Sequence, residues 1–188
     1  MSSGGAEAVG QLRLQLLVIR CQTGDERAFR QLYESFADRT RRYVRAWLGA
    51  EGVDDVQQEV WMRVYKRIGQ LADPAAFRTW LFMTTRHAAI DFLRRRAREA
   101  EIRASGRAHS SEAGVATGPE PTGKQAEAVR SALDELPAVQ REAVILRYWN
   151  DLTYAEIALV AGCPIGTVRS RLHQAKRALG DSLGPLLG

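Results

Sequence analysis

The sequence predicts an all-α chain of two small helical domains joined by a flexible linker, the second of them a helix-turn-helix. Three observations predict it. Apolar residues recur at helical spacing on both sides of the chain's middle, and no period-2 run of strand length appears. That periodicity disappears from Ser105 to Gln125, where SGRAHSSEAGVATGPEPTGKQ is rich in Ser, Gly, Ala, Thr and Pro. A capping box, a glycine-containing turn and a basic helix then follow one another near the C-terminus. The expected division is a disordered N-terminus over 1–11, a helical domain over 12–100, a linker over 101–125 and the helix-turn-helix domain over 126–188.

In the first domain, Phe29, Tyr33 and Phe36 recur at i, i+4 and i+7, and Gly24-Asp25 marks a short turn before them. A helical stretch continues through Tyr43, Val44 and Trp47 to Gly49. After Gly52, the pair Asp54-Asp55 places acid at a new helix start, where the helix dipole favours it. That helix carries Val56, Val60, Val64 and Ile68 at a strict i+4 spacing. Beyond Asp73-Pro74, a fourth helix runs from about Ala75 to Arg98, its inner face set by Leu81, Thr85, Ala88 and Phe92.

In the second domain, helical patterning resumes near Ala126 and stops at Pro137. Val139 to Trp149 reads as a helix, and Thr153-Tyr154-Ala155-Glu156 as a capping box that starts the next one. Gly162 suits a left-handed helix end. After Cys163-Pro164-Ile165-Gly166, the last helix places Val168, Leu172, Ala175 and Leu179 on one face. At 100° per residue, Ser170, His173, Gln174 and Arg177 fall opposite, with Arg169 on the flank. Such side chains can read base edges in a major groove and grip phosphates.

Composition bounds the function. The 188 residues carry 27 Lys and Arg against 22 Asp and Glu, a formal net charge of +5. The excess is local: Arg94, Arg95, Arg96 and Arg98 cluster in one stretch, and Arg169, Arg171, Lys176 and Arg177 lie in another without an acid between Glu156 and Asp181. Two separated basic patches suggest an anionic polymer gripped at two places. The twelve residues from Ile157 to Val168 are far short of the roughly 20 a membrane span requires, so no membrane insertion is expected. Nothing resembles a secretory signal, and a cytoplasmic protein is expected. Cys21 and Cys163 are expected to be two buried thiols rather than a bridge. The run Gly118 to Gln125 nearly spells a phosphate-binding loop. It has Gln where a Ser or Thr would hold Mg²⁺, no preceding strand, and two prolines in the cradle. His87, His109 and His173 have no metal-ligand spacing. The chain is therefore expected to be no enzyme and to need no cofactor or metal.

These motifs, in this order, strongly resemble the bacterial RNA polymerase sigma factors of the extracytoplasmic-function type, in the sigma-70 family. The resemblance is carried by GDERAFRQLYESF (24–36), DDVQQEVWMRVY (54–65), FRTWLFMTTRHAAIDFLRRRAR (77–98), LDELPAVQREAVILRYWNDLTYAEIA (133–158) and GCPIGTVRSRL (162–172). It implies a promoter-specificity subunit that binds core RNA polymerase and promotes DNA opening. It further implies that Asp55, Gln58 and Glu59 dock on the clamp of the largest polymerase subunit. Leu71, Phe77, Arg78, Trp80, Arg86, His87 and Arg94 would read a single-stranded −10 element, with aromatic rings for bases and cations for phosphates. At least one ring of Phe77, Trp80 and Phe82 must also be core. The family usually has Asn where His87 stands. Thr167, Arg169, Ser170, His173, Gln174 and Arg177 would meet duplex DNA at the −35 element, Thr167 and Arg177 through phosphate. Members commonly carry Arg at the position of Gln174, and Gln favours adenine in a bidentate contact.

An anti-sigma factor is a further partner the resemblance allows. In the free chain both basic patches are expected to be masked, with the domains separating on polymerase. The alternatives are an ordinary helix-turn-helix regulator that binds duplex DNA without polymerase, or a polymerase-binding protein that sequesters rather than initiates.

Overall fold

The computed structural model describes residues 3–104 and 124–187, so the expected linker lies almost wholly outside the described residues. Every regular element described is helical. In chain order they are α1 (Ser3–Gln22), α2 (Glu26–Leu48), α3 (Val53–Arg67), α4 (Phe77–Ala104), α5 (Lys124–Glu135), α6 (Ala138–Val144), α7 (Tyr154–Ala161) and α8 (Ile165–Leu187).

Helix α1 starts at Ser3, well before the predicted Leu12, and α4 continues to Ala104, beyond the predicted Arg98. Both extensions have one cause: adding a residue to an existing helix fixes only that residue, whereas nucleation fixes several at once. The first domain is built from α1 to α4. Asp25 caps α2 by accepting from the backbone N–H groups of Arg27 and Ala28, at 2.9 and 3.0 Å. Those bonds, with the Arg20 guanidinium 2.7 Å away, hold the Asp25 carboxyl below its usual range. The i+4 row Val56, Val60, Val64 and Ile68 is buried throughout, together with Leu32, Phe36, Phe77 and Leu81. Tyr33 departs from the predicted inner row and lies exposed.

The second domain is built from α5 to α8. Thr153 and Glu156 form the predicted capping box of α7, and Gly162 ends that helix in the left-handed region, at φ 63°. Between α6 and α7 the chain widens into a π-helical turn over Ile145–Trp149. The buried row Val168, Leu172 and Ala175 of α8 packs against Val144, Leu146 and Ile157.

The two domains, each with its own buried cluster, are docked against one another. Tyr43 of α2 and Phe82 of α4 are fully buried within the second domain's apolar cluster, their rings meeting edge-on at 5.5 Å. The physical reason lies in α4, which has three working faces. Phe77, Leu81, Thr85 and Ala88 point into the first core. Thr79, Phe82, Met83 and Arg86 turn toward the second domain, and Trp80, His87 and Arg94 follow one another along a third stripe at seven-residue spacing.

Among the described residues, no helix is long and apolar enough to cross a membrane. Cys21 is buried and Cys163 half-buried, both as free thiols. Burial, and then the charge of Asp25, pushes the Cys21 thiol up to about 11, which leaves it protonated and unreactive at neutral pH.

Candidate partner groove and nucleic-acid interfaces

Helices α2 and α3 enclose an open groove of about 540 Å³ lined by Phe29, Tyr33, Gln58, Trp61, Met62 and Tyr65, among others. Its floor is held by a polar network under the rings. Trp61 Nε1 donates to Gln57 Oε1 at 3.1 Å, and Gln57 Nε2 donates to the carbonyl of Ala37 at 3.0 Å. Phe29 meets Tyr65 edge-on at 5.1 Å, and Tyr33 meets Trp61 at 4.9 Å. The outer wall remains open: Tyr33, Met62 and Tyr65 are 46%, 51% and 60% exposed. An aromatic and methionine surface of this kind is typical of the buried centre of a protein–protein interface.

The three residues predicted for polymerase docking separate here. Gln58 lines the groove and Asp55 is exposed in the first turn of α3. Glu59 faces α4 instead, accepting from Arg95 at 3.0 Å and from Arg63, which also reaches Asp91. Its carboxylate ties α3 to α4. Sequence reasoning took Tyr33 for core and missed the groove it helps to form. The two i+4 aromatic pairs, Phe29 with Tyr33 and Trp61 with Tyr65, were the available signal.

The residues predicted for the −10 strand also divide. Phe77 is fully buried against Phe36 inside the first domain, which leaves its ring no face for a base, whereas Phe82 is fully buried in the second cluster and so is covered by the docked second domain. Core packing claims both because each lies on an inward face of α4. Of the three aromatic candidates, Trp80 alone keeps part of its ring accessible. His87 and Arg94 are exposed on the same stripe as Trp80. Arg78 is half-buried, with its Nε inside and without a hydrogen bond. Leu71 is half-buried and its loop is pinned by Gln22, whose Nε2 donates to the carbonyls of Ile68 and Leu71 at 3.1 and 2.7 Å. Arg86 points away from that stripe and pairs with Glu142 of α6 at 3.0 Å.

The residues predicted for duplex reading stay together. Arg169, Ser170, His173, Gln174 and Arg177 are all exposed on one side of α8, opposite the buried Val168, Leu172 and Ala175, while Thr167 at the helix start is half-buried. Gln174 Oε1 accepts from Gln140 Nε2 of α6 at 3.1 Å, which orients its amide. Arg171 turns back toward the Cys163 sulfur. The masking expected for the free chain is thus not general. The α8 face is open, as are Arg94, Arg95, Arg96 and Arg98 at the end of α4, and the domain contact engages Arg86 alone among these cations.

Comparison with known proteins decides between a promoter-specificity subunit and an ordinary regulator. The family model for Sigma-70 region 2 matches residues 32–99, and that for Sigma-70, region 4 matches residues 126–179. The chain belongs to the sigma-70 family, as a sigma factor of the ECF type. It is 32% identical to the ECF RNA polymerase sigma-E factor of Escherichia coli K12 over 94% of this chain and 97% of that one. It is also 33% identical to the RNA polymerase sigma-H factor of Pseudomonas aeruginosa, over 92% and 95%. Among solved structures, this sigma factor resembles RpoE of Bartonella quintana, determined with the anti-sigma factor NepR. The TM-score is 0.68 and the identity 26%, covering 83% of this chain and 96% of that one. The fold also matches CnrH, determined with the cytosolic domain of CnrY, at a TM-score of 0.61 and 24% identity over 92% and 97% of the two chains.

Sigma factors are initiation subunits that bind core RNA polymerase and promoter DNA, not enzymes. A region 2 domain has no place in an ordinary helix-turn-helix regulator. Among the described residues, no three His, Cys, Asp or Glu side chains converge to hold a metal ion.

Proposed function

We propose that this sigma factor works in the cytoplasm through three separate surfaces. The groove of Phe29, Tyr33, Gln58, Trp61, Met62 and Tyr65, together with Asp55 in the exposed first turn of α3, docks on the clamp of the largest polymerase subunit. Glu59 supports that surface by fixing α3 against α4. The α4 stripe of Trp80, His87 and Arg94, joined by Arg86, Arg78 and the Leu71 loop, takes the opened −10 strand. The outward face of α8 reads the −35 duplex, with Thr167 and Arg177 on phosphates and Arg169, Ser170, His173 and Gln174 at base edges. An anti-sigma partner fits the same reading, since RpoE of Bartonella quintana was determined with one.

The observation that carries this reading is the α8 face itself. Five polar or cationic side chains are exposed together on a helix whose other side is anchored in the core, the arrangement a recognition helix needs. Holoenzyme carrying Arg169→Ala is expected to lose about 1–3 kcal/mol of affinity for its preferred −35 duplex and to relax selectivity at one base pair. Selection from a randomised −35 library measures both. Equal selectivity in wild type and variant would remove Arg169 from base reading.

A further inference from the structure

We propose that Gln140, a residue of α6 outside the recognition helix, sets the base preference of Gln174 by fixing its amide in the orientation that reads adenine. The proposal rests on the assignment of the α8 face to the −35 duplex and adds a specificity-determining residue to it.

Gln174 is exposed on α8, and its Oε1 accepts from Gln140 Nε2 at 3.1 Å. Among the described residues, it is the one base-reading candidate on that face whose side chain is hydrogen-bonded within the free chain. Arg169, Ser170 and His173 have no such bond. The backbones that carry the two amides are held firmly. Val144, one turn along from Gln140, and Ala175, next to Gln174, are both buried in the second domain's apolar cluster. The Gln140 backbone N–H also donates to the Pro137 carbonyl at 2.9 Å, in the first turn of α6. Only the side-chain amides remain to be set, and each sets the other.

An amide oxygen has two lone pairs and an amide nitrogen two hydrogens. Gln140 takes one lone pair of Gln174 Oε1. The second remains to accept from adenine N6, and Gln174 Nε2 remains to donate to adenine N7. The two ends of an amide are alike in shape, so an unheld amide turns over and offers donor and acceptor in either order. Held by Gln140, it offers one order. A glutamine side chain also has several rotatable bonds, and ordering them on DNA costs affinity that an already ordered side chain does not lose. Orientation and order thus both favour one base over the other three. Gln140 acts through Gln174 and is a positioning residue.

The test is selection by holoenzyme from a duplex library randomised through the −35 element, with Gln174→Ala locating the base pair that Gln174 reads. The wild type is expected to prefer adenine at that pair. Gln140→Ala removes the donor and leaves the charge and the α6 backbone bond unchanged. It is expected to lower discrimination at that pair about fivefold, through weaker binding of the adenine site alone. Gln140→Glu puts an acceptor where the donor stood, so Gln174 must turn its amide over to meet it. Preference at that pair is then expected to move from adenine toward cytosine, whose N4 donates. The added negative charge weakens all sequences alike without reordering the bases, so the two effects separate.

The double variant of Gln140→Ala with Gln174→Ala is expected to select like Gln174→Ala by itself, since Gln140 then has nothing to hold. A further loss in the double variant would show that Gln140 touches DNA directly and would overturn the proposal. So would a wild-type preference for any other base at that pair, or a wild-type ranking of bases in both Gln140→Ala and Gln140→Glu. Gln174→Ala separates the two levels. If it flattens no position, the base-reading assignment of Gln174 fails and the proposal with it; if it flattens one that the Gln140 variants leave intact, only the proposal fails.

Discussion

A chain carrying Met62→Ala and Tyr65→Ala together is expected to lose core RNA polymerase almost entirely while folding as before. Both side chains project from α3 into the open groove, and more than half of each is exposed in the free chain. Truncating exposed residues away from caps and cores changes stability little, within about 0.5 kcal/mol. Truncating an aromatic at the buried centre of an interface costs about 2 kcal/mol or more, a factor of roughly thirty in affinity. Losing Tyr65 together with its apolar neighbour Met62 is expected to weaken assembly about a hundredfold, allowing for incomplete additivity. Titrating a labelled chain with core polymerase measures the loss, and thermal unfolding of the free variant checks the fold. Unimpaired assembly would move the docking surface elsewhere.

Gly52→Ala is expected to be the most damaging single-methyl change in the first domain. Gly52 starts α3 at φ 74°, a conformation that costs a residue with a Cβ about 1–2 kcal/mol. A Cβ there would also drive into the ring of Phe92, which lies against the Gly52 backbone. Overpacking of this kind adds about 1–3 kcal/mol. Phe92 cannot swing away freely, since its ring packs on the first core. A total of about 2–5 kcal/mol is a large share of what a domain of this size has in reserve. Urea unfolding of Gly52→Ala, Phe92→Ala and the double variant separates the two causes. The double variant is expected to be less destabilised than the sum of its parts, because removing the ring removes the collision but not the backbone strain. Strict additivity would show that Phe92 has no part in the effect.

What the sequence revealed follows from the reach of each signal. Short-range signals were legible: the Thr153–Glu156 capping box, the left-handed Gly162, the Val56–Val60–Val64–Ile68 row, and the division of α8 into an apolar and a polar face. Each is settled within one or two helical turns. The structure bears out the fold class on the same grounds.

The domain contact was not legible, because nothing local marks it. Glu142 meets Tyr43 and Arg86 across separations of 99 and 56 residues. On α4 an apolar stripe of ordinary helical period hides a second buried face, so Phe82 looked like a surface ring and Arg86 like a free cation. The opposite error befell Tyr33. It sits on a buried row by spacing, yet lies where α2 and α3 part to form the groove. Phe77 fell to a third cause: an aromatic at a helix start serves a core or a base equally well until the neighbouring helix is known, and here that neighbour is Phe36.

The central claim is that this chain gives core RNA polymerase a two-element promoter specificity. The most direct measurement is transcription in vitro by purified core polymerase from its own organism, with and without the chain, on pooled genomic fragments, sequencing the 5′ ends. The expected result is a set of new start sites, present only with the chain, preceded by two motifs at constant spacing. Starts identical in both reactions, with the chain demonstrably bound to polymerase, would contradict the account and make this protein one that sequesters polymerase without directing it.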